Sequence, residues 1–127
     1  MGRKAFTSEG AVSVGPYSHA VEMGNLVYLS GQTPIDSNTG NLVEGDIIAQ
    51  TEQCFKNLFA VLESAGLASD DIMKVNVYLT DMKDFQAMNE VYTKQFNSPQ
   101  PARTTIGVRE LPLGARVEIE MIAYRNK

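Results

Sequence analysis

Six side chains between Asp46 and Gly66 constrain the fold more than any other feature of the chain. Ile47, Thr51, Phe55, Leu58, Leu62 and Ala65 recur at spacings of 4, 4, 3, 4 and 3. That rhythm lays them along one face of an α-helix of about 20 residues. Asp46 is placed to cap its first turn, and Gly66 to end it. A helix with one apolar face needs a flat apolar surface to pack against. The next segment offers one: in IMKVNVYLT, Val75, Val77 and Leu79 alternate with Lys74, Asn76 and Tyr78, the pattern of a half-buried strand.

Helical spacing returns from Asp81 to Phe96 through Phe85, Met88, Tyr92 and Phe96, and Pro99 and Pro101 stop it from continuing. Upstream, AVEMGNLVYLSGQTPID reads as two extended segments joined at Gly24-Asn25, followed by the turn cluster DSNTGN. ARTTIGV and ARVEIEMIAY read as two closing strands. The order ββ(β)–α–β–α–β–β predicts an α+β fold, a single sheet with two helices on one face, in one domain over residues 1–127. Two helices leave the other face of the sheet uncovered. On the last strand that face carries Glu118, Glu120, Ile122 and Tyr124, neither a clean core nor a clean solvent surface. Another subunit is the simple cover for it.

Charge and cysteine content exclude several classes of function. The net charge is −4 and the sequence pI is about 4.9, so a phosphate backbone is a poor partner and nucleic acid is not expected. With one cysteine (Cys54) and one histidine (His19), no intrachain disulfide can form, and a zinc site of the usual Cys/His type is excluded within one chain. A reducing, cytoplasmic setting fits, and no metal is expected. No apolar run approaches the ~18 residues of a membrane span. MGRKAFTSEG has neither the apolar core of a secretory signal nor the serine or threonine of a myristoylation pattern, so no membrane partner is expected.

Few residues remain that can do chemistry. Arg103, in PARTTIGV, is either a surface arginine in a weak ion pair or a rigid fork for a carboxylate. Glu118 and Glu120 lie two apart on a strand and share a face. If water touches them they are two solvated acids; if a neighbour covers them, one needs a partner or a raised pKa, and can act as a general base. In LSGQTP, Ser30 and Gly31 end a strand, and the glycine allows close approach to backbone. Cys54 reads as a small packing residue and His19 as structural or exposed. No nucleophile–base–acid triad is present in the pattern.

The motifs GPYSHAV, LSGQTP, QTEQCFKNLFAVLESAG, VNVYLTDMKDFQAMNEVYTKQF, PARTTIGV and GARVEIEMIAY, in that order from about Gly15 to Arg125, resemble those of the Rid family. These are the reactive-intermediate imine deaminases, also called the YjgF or L-PSP family, and the chain is most similar to the RidA branch. The resemblance implies a chorismate-mutase-like subunit in a homotrimer, with ligand sites between subunits and no cofactor. It implies hydrolysis of 2-imino acids, formed from enamines that pyridoxal-phosphate dehydratases release, to 2-keto acids and ammonia. Arg103 matches the family's carboxylate-binding arginine and Glu118 the residue that positions water. Tyr17, Ser30, Gly31 and Asn89 match pocket-lining positions. Thr105 stands where many members have cysteine, a contact made largely through the main chain. Two rival functions accompany the resemblance: a non-catalytic, carboxylate-binding or regulatory trimer, and an endoribonuclease or translation inhibitor.

Overall fold

The computed structural model describes residues 2–126. The strands are β1 (Lys4–Phe6), β2 (Ala20–Met23), β3 (Leu26–Gln32), β4 (Ile72–Leu79), β5 (Ala102–Gly107) and β6 (Val117–Tyr124); the helices are α1 (Ile47–Ser64) and α2 (Phe85–Thr93). The strands form one sheet in the order β1-β2-β3-β6-β4-β5. Among the described strands only β4 and β5 pair in parallel. Because β3 and β4 both run antiparallel to β6, they run parallel to each other, and α1 is the crossover between them. In the same way α2 carries the chain from β4 to β5. Crossovers of this kind put both helices on one face. The fold is α+β, as the order of elements predicts.

The core lies between that face and the helices. Phe55, Leu58, Val61 and Leu62 of α1 pack with Val27, Val75, Val77, Ile119 and Met121 of the sheet, all fully buried. Truncating one of them, as in Leu58→Ala, costs about 2–5 kcal/mol through lost burial and an unfilled cavity. Asp46 caps α1 by accepting from the Ala49 N–H at 3.1 Å. Gly66 leaves the helix with φ +73°, a left-handed turn that glycine takes without strain. One buried polar residue of α1 also fixes a loop. Asn57 donates from Nδ2 to the carbonyls of Thr33 and Ile35, at 3.3 and 2.9 Å.

Two differences from the sequence reading stand out. α2 ends at Thr93 although the apolar spacing continues to Phe96. Beyond it the N–H groups of Lys94 and Gln95 bond three residues back, to Val91 and Tyr92, which tightens the last turn. Phe96 therefore reaches the core from a turn, packing on Phe55, Phe59 and Tyr92. The other difference is β1, a strand of 3 residues, too short for alternation to reveal.

Opposite the helices the sheet is bare. Register places Tyr28 beside Ile122, and Leu26 beside Met23 and Tyr124. Met23, Tyr28 and Tyr124 are 56%, 51% and 43% exposed, so large apolar groups stand in water along this face of the single chain.

Candidate active site

The candidate residues gather in two places. Tyr17, Ser30, Gly31 and Glu118 line one cavity of about 390 Å³, together with Val14, Thr33, Pro112 and Glu120. Arg103 and Asn89 line another of about 380 Å³, with Tyr92 and Gln100 beside them.

Glu118 and Glu120 project from the bare face of β6, opposite Tyr78 and Asn76 of β4. Their surroundings separate their roles. Glu120 is held: Asn76 donates to it from Nδ2 at 2.9 Å, and the Tyr78 hydroxyl bonds to it as well. Glu118 takes part in no ion pair among the described residues. Burial, and then the negative charge of Glu120, push its carboxyl above the ordinary glutamate range. Gly31 explains how it fits, because a Cβ there would collide with the Glu118 carboxylate. Ser30 works on the loop instead. Its hydroxyl donates to the Ser18 carbonyl at 2.6 Å and its N–H to the His19 carbonyl at 2.9 Å, which ties the segment bearing Tyr17 to β3. The Tyr17 hydroxyl accepts from the Val14 N–H at 3.0 Å.

Arg103 lies elsewhere. It is level with Val75 on β4, whereas Glu118 is level with Tyr78. Val75 and Tyr78 are three apart on one strand, so they point to opposite faces. Arg103 is thus on the helix-covered side at the sheet edge, and Glu118 on the bare side. Its guanidinium donates from Nη1 to Asn89 Oδ1 at 2.6 Å. Among the described residues no carboxylate pairs with it.

Thr105 shares the Arg103 side of β5, but its hydroxyl is buried and without a hydrogen-bond partner. The main chain there is better placed. Val108, just past β5, donates its N–H to the Leu79 carbonyl at 2.8 Å. Alternation then turns the N–H groups of Arg103 and Thr105 away from β4, toward the free edge of the sheet.

Other polar groups are structural. Cys54 is fully buried, donates to the Gln32 carbonyl at 3.2 Å, and burial pushes its thiol up. His19 is buried, accepts from the Ser8 N–H through Nδ1, and burial lowers its pKa. Among the described residues no group of three or more His, Cys, Asp and Glu is arranged to hold a metal ion, and no helix is long and apolar enough to cross a membrane.

A family model described as Endoribonuclease L-PSP matches residues 8–125. The chain belongs to that family. This is the Rid family that the motifs resemble, and its members carry several names. An L-PSP relative from Pyrococcus horikoshii, called a RutC family protein, is 48% identical over 121 residues, covering 95% of this chain and 96% of that one. A 2-iminobutanoate/2-iminopropanoate deaminase of Dermatophagoides farinae is 49% identical over 109 residues, 86% of this chain and 85% of that one. Among L-PSP structures, RidA from an Antarctic Psychrobacter matches with a TM-score of 0.92 at 46% identity, over 96% of this chain and 99% of that one.

Proposed function

We propose that this L-PSP protein hydrolyses 2-imino acids to 2-keto acids and ammonia, at sites formed between the subunits of a homotrimer. The observation that carries the reading is the split of the candidate site across the sheet. An arginine without a counter-ion stands at the helix-side edge, and a carboxyl with a raised pKa borders a cavity on the bare face. One chain cannot bring both to one small ligand. A second chain laid against the bare face brings its β5 edge to the first chain's cavity, and it covers Tyr28 and Tyr124 as well. Ring closure by three such head-to-tail contacts gives three equivalent sites. The relative named for 2-iminobutanoate and 2-iminopropanoate supports the substrate class.

The chemistry needs water and two side chains. Arg103 holds the substrate carboxylate through its planar fork, and the outward N–H of Thr105 adds a second donor. This places the imine carbon beside a water on Glu118. Glu118 takes a proton as the water oxygen bonds to carbon and the C=N electrons pass to nitrogen, and the protonated Glu118 then returns that proton to the nitrogen. In the resulting carbinolamine the hydroxyl proton passes to the amine nitrogen, by way of Glu118, as the C–N bond breaks and the C=O bond forms, leaving ammonia and the keto acid. Positioning can supply up to ~7–11 kcal/mol of such a barrier. No cofactor enters these steps, and a chain with a single cysteine is compatible with a reducing cytoplasm.

The test is ammonia or keto-acid release from imine generated by an amino-acid dehydratase, with wild type beside Arg103→Ala. Acceleration by wild type and none by the variant supports the reading. A wild-type rate equal to buffer removes the deaminase reading and returns the choice to the two rival functions. Light scattering that finds a stable monomer at micromolar concentration removes the shared site altogether.

A further inference from the structure

The Arg103 guanidinium rests on a single stripe of α2. Phe85, Asn89 and Tyr92 stand at i, i+4 and i+7, and so share one helix face. The guanidinium carbon lies 5.5 Å from the Phe85 ring centre and 4.6 Å from that of Tyr92. Between the rings, Asn89 Oδ1 accepts from Nη1 at 2.6 Å. All three contacts are attractive to a cation, and none carries a formal charge. Among the described residues two arginines sit in ion pairs and are neutralised, Arg116 by Asp84 and Arg125 by Glu22. Arg103 is fixed without being neutralised.

We propose that Phe85, with Tyr92 and Asn89, forms a neutral cradle that orients the Arg103 fork and keeps its charge uncompensated for an incoming carboxylate. Phe85 is the positioning residue most open to test, because Tyr92 is also a buried member of the core. The cradle acts through two effects. A quadrupolar ring face holds a guanidinium flat without competing for its N–H donors. An amide oxygen occupies one donor and leaves the others to the ligand, where a carboxylate would take the charge itself. This rests on the proposed carboxylate-binding role of Arg103, and goes beyond it by assigning what makes that arginine available.

The test is calorimetric titration with sodium 2-oxobutanoate, alongside imine turnover and the thermal midpoint of each variant. Phe85→Leu keeps apolar bulk and loses the ring face, and Kd and KM should both rise about 3- to 30-fold while kcat changes little. Phe85→Tyr keeps the face and should restore binding. Asn89→Asp puts a counter-ion in the cradle; it should weaken 2-oxobutanoate more than Phe85→Leu does, while the protein stays folded through the added ion pair. Unchanged Kd in Phe85→Leu overturns the proposal. So does an equal loss in Phe85→Leu and Phe85→Tyr, or an Asn89→Asp variant that binds like wild type; the last also decides the matter if Phe85→Leu does not fold. Wild type that binds no 2-oxobutanoate overturns it too. Wild type that binds in a Phe85-dependent way but hydrolyses no imine keeps the cradle and removes the deaminase reading.

Discussion

Around Arg103 a full positive charge sits among neutral groups, two rings and an amide, at the edge of the sheet. Around Glu118 a carboxyl sits against a second carboxyl and partly out of water, and its pKa is raised. The first region leaves a charge free to bind an anion, and the second makes a charge costly to hold and so apt to take a proton. One environment suits electrostatic capture and the other suits proton transfer. The sheet keeps them apart within a chain, and that separation can be broken by experiment.

The largest effect expected is on turnover. Arg103→Ala and Glu118→Gln should each lower imine hydrolysis by about 10²-fold or more. If, as proposed, the two residues act from different chains, co-refolding the two variants at equal amounts should restore part of the activity. If chains mix at random around a head-to-tail ring, about one site in four pairs an intact arginine with an intact glutamate. Recovery to roughly a quarter of wild type is thus the expected ceiling, read in the coupled assay. No recovery, with mixed trimers verified by mass, places both residues in one chain's site and breaks the comparison.

Binding should separate the regions next. Arg103→Lys keeps the charge but loses the fork, and 2-oxobutanoate should bind about 10- to 100-fold more weakly by calorimetry. Glu118→Gln should bind it as well as wild type, since the base has no part in carboxylate capture. A Glu118→Gln variant that loses binding as steeply as Arg103→Lys makes the glutamate a ligand contact rather than a base.

Much of this division could be read before the structure, and the unread part is physically specific. Glu118 and Glu120 declare a shared face through the period-2 alternation of VEIE, a local property of the chain. Arg103 is visible as an isolated cation among small and apolar residues. Its face is not. That depends on the parallel register of β5 with β4, which sets Arg103 beside Val75 and is fixed by a crossover through α2. Nothing local encodes it. The same holds for Ser30, whose hydroxyl secures the Tyr17 loop through the Ser18 carbonyl. Phe85 and Tyr92 could be seen on the apolar stripe of α2, where they read as core. The polar Asn89 lying between them at helical spacing is the signal that they also serve a charged group.

A smaller effect is expected from pH. Glu118 must be ionised to accept a proton, so activity should fall as pH drops through its raised pKa. The Glu120 charge is the second cause of that rise, after burial. Glu120→Gln removes the like charge and leaves the burial, so the acid limb of kcat should move to lower pH without reaching the ordinary glutamate range. Any shift due to a neighbouring Arg103 is present in both proteins and cancels in the comparison. A limb unmoved in Glu120→Gln, or moved upward, separates the observed titration from Glu118.

The smallest effect concerns strain, which the two regions also share unequally. Leu113, beside the Pro112 that lines the Glu118 cavity, has φ +62° and is 58% exposed. Among the described residues it is the one non-glycine residue with positive φ, and the Arg103 region has none. A leucine in the left-handed region carries about 1–2 kcal/mol of steric cost, whereas asparagine takes that conformation readily. With little apolar burial to lose in the single chain, Leu113→Asn should stabilise the fold by about 0.5–1 kcal/mol, read as a higher thermal midpoint. Leu113→Gly should gain less, because glycine restores freedom to the unfolded chain and so offsets part of the relief. A lower midpoint in Leu113→Asn with a raised midpoint in a dissociated sample means a neighbouring chain covers the leucine. The strain then serves to hold an apolar group at the mouth of the shared cavity, and the Glu118 region is the one that assembly remodels.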